Sequence, residues 1–239
     1  MEKNTSRHSV FFAALKFSIP VFFGYIAIGI AFGLLMSDSG YPWWLSFMMS
    51  VFIYAGAAQF ISAGFFAAGT GILEAALIQF VVNARHMAYG FSMLNRFMKA
   101  GRFRFYLIFG LTDETFALLS SYKPPDTMSE SEGAKFMFYV TALDQSYWVT
   151  GSLLGAVAGS LIPFNTEGIG FALTALFVVL MIEKILERRN PLPFICSAIP
   201  AVLCAYFLPS RISLLAALAL ALVLNSLIAR KSSGGADAR

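Results

Sequence analysis

The sequence predicts an all-α, polytopic integral membrane protein with about six to eight transmembrane helices, of which one or two are broken or re-entrant. The 239-residue chain is 58% hydrophobic and only 13% charged, and its mean hydropathy is +0.72. Soluble domains carry about 25% charged residues. Apolar runs recur along nearly the full length, and none alternates as a barrel strand does. We therefore expect one transmembrane domain over residues 1–239, with a short basic tail at 1–10 and a disordered tail at 230–239.

Eight apolar segments have lengths that suit a membrane-spanning helix, which needs roughly 20 apolar residues. Short stretches rich in glycine, proline or polar residues separate them. In chain order the segments are 10–36, 43–68, 72–94, 103–121, 136–162, 169–185, 192–208 and 212–229.

The basic residues predict the orientation of these segments. The positive-inside rule assigns the clusters at 3–16, 96–104, 184–189 and 230–231 to the cytoplasm. Eight full crossings would instead leave 96–104 outside. If 43–68 and 103–121 are broken or re-entrant, six full spans remain and both termini are cytoplasmic. Their centres hold small or polar residues, and non-helical backbone at that depth must be buried in protein or line a cavity. Seven or eight spans remain an alternative.

A polar cluster lies near the middle of segment 72–94, at Asn83, Arg85 and His86. Arg85 is about 15 Å from either end of the segment, too far to reach the interface easily. An unpaired arginine at that depth costs several kcal/mol. We therefore predict that it pairs with a buried carboxylate.

The carboxylates available to Arg85 are Asp113, Glu114 and Asp144, each within an apolar segment. Because an imidazole titrates near neutral pH, His86 suits a proton relay, with these three acids as candidate carriers. In the alternative interpretation, Asp113 and Glu114 are solvated near an interface.

Small residues indicate close helix packing at two further places. Asp144 shares a helix face with Trp148 and with glycines at 151, 155 and 159, which allow a neighbouring helix to approach. A similar glycine pair occurs at 29–33. Whether Asp144 also handles substrate or ions stays open.

Candidate substrate-binding residues begin at the small-residue stretch 54–59, where Tyr54, Gly56 and Gln59 lie. Unwound backbone here could offer amide and carbonyl groups to a zwitterionic ligand, as broken transporter helices do. Asn83 and Trp148 complete the candidate set. The alternatives are plain helix packing for 54–59 and interhelical hydrogen bonding for Asn83.

The absence of several sequence motifs excludes other function classes. The chain has no GxxxxGK[ST] stretch for ATP hydrolysis, and neither HExxH nor GxSxG. Cys196 and Cys204 lack metal-ligand spacing. We predict no metal, no cofactor and no catalysis. The net charge of +4 comes from loops beside apolar runs and does not indicate nucleic acid. A secondary transporter fits best, and the alternative is an uncoupled channel or a permease for another small solute.

Three stretches resemble the AzlC family. FIYAGAAQF at 52–60 resembles its F-x-x-A-G-A-x-Q-F signature, NARHMAY at 83–89 its N-x-R-H-x-x-Y signature, and TDETFA at 112–117 its acidic segment. Their order and spacing agree, and the resemblance extends over 12–229.

The resemblance implies the large subunit of a two-component exporter in the bacterial inner membrane. It implies a small multi-span AzlD-type partner and energy from the proton gradient. The implied substrates are valine, leucine, isoleucine, the analogue azaleucine and, in some members, methionine.

Overall fold

The computed structural model describes residues 2–123, 125, 128–161 and 192–208, together with 178, 181–182, 185–186, 213, 216–217, 219–221 and 223–225. Of residues 2–9, 67 and 193, only the backbone is described. The predicted segments 169–185 and 212–229 fall largely outside these residues, as do the basic cluster 184–189 and the tail 230–239.

The described residues form helices and no strand, which confirms the predicted all-α class. The helices are α1 (Glu2–Asp38), α2 (Trp43–Phe52), α3 (Gly56–Ala68), α4 (Ile72–Lys99), a 3-10 turn (Gly101–Phe103), α5 (Arg104–Phe109), α6 (Asp113–Ser121), α7 (Glu130–Leu161) and α8 (Leu192–Phe207). The chain divides into two compact units, Met1–Leu173 with α1 to α7 and Thr174–Arg239 with α8. The expectation of one domain over 1–239 stays a prediction.

Both segments expected to be broken are broken. Segment 43–68 forms α2 and α3 with a break between Phe52 and Gly56, and segment 103–121 forms α5 and α6 with a break between Phe109 and Asp113. Whether either segment is re-entrant stays a prediction.

Helix length and exposed surface fit a membrane protein. Among the described helices, the stretch Val10–Asp38 of α1 is long and apolar enough to cross a bilayer, with a hydropathy of 2.2. Large apolar side chains also cover the outside of the molecule, including Phe23, Phe80, Phe91 and Phe105, each more than 60% exposed. Such a surface suits contact with lipid or with another subunit.

Helices α1 and α7 form the most extensive helix pair of the described fold. A Cβ added at Gly151 would lie 2.8 Å from the Ile26 carbonyl oxygen, and one at Gly155 would overlap the backbone of Ile30. From the other side, a Cβ at Gly33 would overlap the backbone at Ser152. The predicted packing role of the glycines is therefore confirmed: missing side chains on both helices let the two backbones touch.

The side chain of Arg96 connects helix α4 to the C-terminal end of α6. The guanidinium of Arg96 donates hydrogen bonds to the carbonyl oxygens of Leu119, at 2.5 Å, and of Tyr122, at 2.8 Å. The last carbonyls of a helix have no partner within it, so this cation caps α6. Arg96 thus stabilises the end of α6, in addition to its expected effect on the orientation of the chain in the membrane.

Candidate functional site

The first helix break places a strained tyrosine inside the protein. Tyr54 has φ 43°, a left-handed conformation that costs a non-glycine residue about 1–2 kcal/mol, and it is 3% exposed. Its ring lies 6.4 Å from that of Phe109, the last residue of α5. The two breaks therefore lie side by side.

The second break ends in a capped helix. The Thr112 hydroxyl oxygen accepts a hydrogen bond from the Thr115 amide at 3.3 Å, which begins α6. Thr115 follows Asp113 and Glu114, so both acids lie in the first turn, where the helix dipole favours negative charge.

Helix α7 supports both breaks. The Gln145 side chain donates a hydrogen bond to the Val51 carbonyl of α2 at 3.0 Å and accepts one from the Tyr106 hydroxyl of α5 at 2.5 Å. One turn further, Trp148 lies against Gly56, where an added Cβ would be 3.0 Å from the indole ring. Gly56 therefore seats the indole of Trp148.

The structure pairs Arg85 with Asp113, one of the three acids considered for it. Nη2 of Arg85 lies 2.9 Å from Oδ2 of Asp113. The other carboxylate oxygen accepts a 2.5 Å hydrogen bond from the Tyr89 hydroxyl. Nε of Arg85 is buried and makes no hydrogen bond with the described residues. Two side chains one turn apart on α4 thus hold the first residue of α6.

The other two carboxylates lie at opposite ends of a line of hydroxyl groups. Tyr25 donates a hydrogen bond to Oε2 of Glu114 at 2.7 Å, and its oxygen lies 2.6 Å from Oγ1 of Thr112. Thr112 donates to Thr115 at 3.0 Å, and Thr115 donates to Oδ2 of Asp144 at 2.9 Å. We call Tyr25, Thr112 and Thr115 the hydroxyl chain.

Gln59, predicted to bind substrate, has protein partners in this structure. Its Oε1 accepts a 2.9 Å hydrogen bond from the indole Nε1 of Trp148, and its Nε2 donates to Oγ of Ser50 at 3.0 Å. Gln59 and Ser50 are fully buried. The amide therefore links α2, α3 and α7 as the structure stands.

Asn83 and His86 have different surroundings on α4. Nδ2 of Asn83 donates to the backbone and side-chain oxygens of Gln79, at 2.9 and 3.2 Å, and Gln79 donates to the Ala58 carbonyl of α3 at 2.8 Å. Gln79 therefore makes the interhelical hydrogen bond, whereas the hydrogen bonds of Asn83 stay within α4. The His86 ring packs against Tyr89, with centroids 5.9 Å apart, and forms no hydrogen bond with the described residues.

The three residues of the hydroxyl chain were not identified as site residues from the sequence. Thr112 followed by two acids is a helix-start signal that could have located the second break. Nothing in the local sequence distinguishes Tyr25 from other polar residues in apolar helices, and Thr115 lies in the acidic stretch 112–117 without a pattern that names its partner. Their contacts join residues 87 and 29 positions apart.

Comparison of the sequence with known proteins assigns the chain to a protein family. Residues 20–162, which include every candidate site residue, match the family described as AzlC protein. The chain belongs to the AzlC family. This confirms the resemblance of the three stretches.

Relatives of this AzlC chain are named as membrane or transport proteins. The branched-chain amino acid transport protein AzlC of Bacillus subtilis (strain 168) is 36% identical over 190 residues, covering 80% of this chain and 74% of the relative. An uncharacterized membrane protein of Helicobacter pylori (strain J99) is 38% identical over 219 residues, covering 91% and 94%. The inner membrane protein YgaZ of Escherichia coli (strain K12) is 31% identical over 188 residues, covering 76% of each. No solved structure matches the chain.

Proposed function

We propose that this chain is the large subunit of a secondary exporter of branched-chain amino acids in the bacterial inner membrane. It works with a small multi-span AzlD-type subunit, uses the proton gradient, and has both termini in the cytoplasm. The observation that carries the proposal is the meeting of two helix breaks beside the buried carboxylate of Asp144 and the partly buried ones of Asp113 and Glu114. Broken helices at the centre of a transporter offer backbone groups and helix ends to a zwitterionic substrate.

Several buried polar atoms near the breaks support an amino-acid site. The Tyr54 hydroxyl, Oδ1 of Asn83 and Oδ1 of Asp144 are buried and make no hydrogen bond with the described residues. Buried polar groups are normally paired, so a ligand that donates hydrogen bonds would stabilise them. An ammonium group is such a donor. Gly56 with the Tyr54 backbone remains the candidate for the carboxylate.

Aromatic side chains provide an apolar surface beside these groups. Trp148 packs edge-on against Tyr25, with centroids 5.5 Å apart, and lies nearly parallel to Phe32 at 6.3 Å. An apolar pocket distinguishes substrates that differ by one methylene by only about 1–3 kcal/mol. We therefore expect overlapping use of valine, leucine, isoleucine and methionine, with charged amino acids excluded. The naming of the Bacillus subtilis relative supports this substrate class.

Counterflow in proteoliposomes tests the proposal. The chain is co-purified with its small partner, reconstituted with unlabelled leucine inside, and given labelled leucine outside. Saturable exchange indicates a carrier, unsaturable flux a channel, and chemical conversion an enzyme; the last two results contradict the proposal.

A cellular experiment tests the direction of transport. Cells that express both subunits should tolerate toxic leucine analogues better than cells with an empty vector. Resistance to basic amino-acid analogues alone, or no change in tolerance with the partner present, contradicts the substrate assignment.

A further inference from the structure

The hydroxyl chain contains more contacts than it has protons. Four oxygen–oxygen contacts join Glu114, Tyr25, Thr112, Thr115 and Asp144 in line. The three hydroxyl groups supply three protons. If both carboxyl groups are ionised, one contact has no proton between its oxygens. With the donors as found, that contact is the 2.6 Å one between Tyr25 and Thr112, where two oxygens would repel each other.

One additional proton on either carboxyl group completes every contact. If Glu114 is protonated, it donates to Tyr25, Tyr25 donates to Thr112, and the remaining hydroxyls donate toward Asp144. If Asp144 is protonated, it donates to Thr115 and each hydroxyl turns to donate toward Glu114. Hydroxyl hydrogens rotate freely enough to adopt either direction.

We propose that Glu114 and Asp144 share one proton, which passes between them through the hydroxyls of Tyr25, Thr112 and Thr115. Each transfer moves one proton from each oxygen to the next, so every hydroxyl regains a proton and the net result is an acid at the opposite end. This inference rests on the proposed proton coupling, for which it names the path.

The two ends of the path, Asp144 and Glu114, differ in how deeply they are buried. Asp144, Thr115 and Thr112 are 0%, 0% and 6% exposed, so bulk water does not reach this part of the chain. Glu114 is only partly buried and forms the end nearer to the surface. The hydroxyl chain therefore connects a fully buried carboxyl group, one turn from Trp148 on α7, to a partly exposed one.

Charged groups around the Glu114 end come from α4 and α6. The adjacent Asp113 and, from α4, Arg85 both act electrostatically on Glu114. Because Arg85 and Asp113 are paired at 2.9 Å, their effects on Glu114 oppose each other. No single charged neighbour therefore determines whether Glu114 carries the proton.

The Asp144 end faces two phenols. Tyr54 from the first break and Tyr106 from α5 interact electrostatically with Asp144, and neither is a cation. Tyr106 already donates its hydroxyl to Gln145. Asp144 therefore has no neighbouring charge that pairs with it among the described residues, and its Oδ1 makes no hydrogen bond there.

Hydroxyl-deleting variants test the path in the reconstituted two-subunit complex. Thr115→Val and Tyr25→Phe each interrupt it without changing charge. Thr141→Val and Tyr147→Phe are the matched controls, since Thr141 donates to its own helix at Met137 and Tyr147 contacts Ser18. Thr115→Ser restores the hydroxyl.

Two rates are measured for labelled leucine: counterflow, and accumulation driven by an imposed gradient with an acidic interior. We expect Thr115→Val and Tyr25→Phe to lower the ratio of accumulation to counterflow by about tenfold or more. The two controls and Thr115→Ser should keep the ratio of the unmodified complex. The path is wrong if all variants keep the ratio of accumulation to counterflow. It is also wrong if Thr115→Val and Tyr25→Phe lose counterflow as completely as accumulation while the two controls keep both rates. If the unmodified complex shows counterflow but no accumulation, proton coupling itself fails.

Infrared difference spectroscopy tests the shared proton without transport. A neutral carboxylic acid should be visible in the unmodified protein and lost in both Glu114→Gln and Asp144→Asn, because an amide at either end supplies the missing donor. Asp113→Asn should retain the signal. A signal that survives both amide variants would overturn the proposal even in a functional carrier.

Discussion

The guanidinium of Arg85 lies 2.9 Å from the carboxylate of Asp113 and joins the middle of α4 to the first turn of α6. Their side chains are 38% and 23% exposed, so the pair lies in a partly open region. The pair lies next to Glu114, which follows Asp113 in the first turn of α6.

The first prediction is that this ion pair stabilises the fold. We expect Arg85→Ala and Asp113→Ala each to lower the midpoint of thermal unfolding in detergent. The loss of unfolding free energy in the double variant should be about 0.5–1 kcal/mol smaller than the sum of the losses in the two single variants, as found for partly exposed pairs. Lys99 and Glu130, also paired but 69% and 79% exposed, form the control cycle and should show coupling near zero. Equal coupling in both cycles would contradict the assignment.

The second prediction concerns the contact of α1 with α7. Gly155→Ala should destabilise the protein by about 1–3 kcal/mol, since the new methyl group would overlap the Ile30 backbone and separate the helices. Gly24→Ala on α1 has no heavy atom within 4 Å of the new Cβ and should be neutral or stabilising. Unfolding in detergent is the measurement. A similar loss in both variants would show that the close contact with Ile30 does not cause the destabilisation.

The third prediction separates two buried serines on α2. Oγ of Ser50 accepts the hydrogen bond from Gln59, whereas Oγ of Ser46 makes no hydrogen bond with the described residues. Ser50→Ala should therefore cost about 1–3 kcal/mol, because it leaves a buried amide donor unpaired. Ser46→Ala should change the unfolding free energy little. The reverse order would show that Gln59 is not held as described.

The fourth prediction assigns the Tyr54 hydroxyl to substrate. The Tyr54 hydroxyl lies near Thr115 but forms no hydrogen bond of good geometry with the described residues. Tyr54→Phe should therefore leave thermal stability nearly unchanged. We expect the concentration of leucine at half-maximal counterflow to rise about tenfold to a hundredfold, because a hydrogen bond to a charged group contributes roughly 1.5–3 kcal/mol. Unchanged leucine dependence would remove Tyr54 from the substrate site.

The fifth prediction concerns topology. In a background with Cys196 and Cys204 replaced, Lys99→Cys should react with impermeant thiol reagents only after the cytoplasmic side is opened. Lys99 is an exposed residue at the end of α4 and lies in the basic cluster expected inside. Labelling of intact cells would require eight full crossings and exclude the re-entrant segments.

The sequence alone identified the helical membrane class and the two segments that contain the breaks. Long apolar runs leave few alternatives to helices in a bilayer. The small and polar stretches lie at 54–59 and 112–115, and the breaks lie at 53–55 and 110–112. The expectation of unwound backbone at 56–59 was wrong, because these residues form the first turn of α3. Arg85 required a carboxylate because a buried cation is costly, but three acids satisfied that requirement equally.

Only the tertiary structure decided which polar groups meet. It paired Arg85 with Asp113, linked Gln59 to Trp148, and left Glu114 and Asp144 at the ends of the hydroxyl chain. Periodicity places a residue on one face of its own helix but does not specify the partner across the interface. That choice depends on how closely the backbones approach, which the glycines of α1 and α7 permit and the packed fold then fixes to within the length of a hydrogen bond.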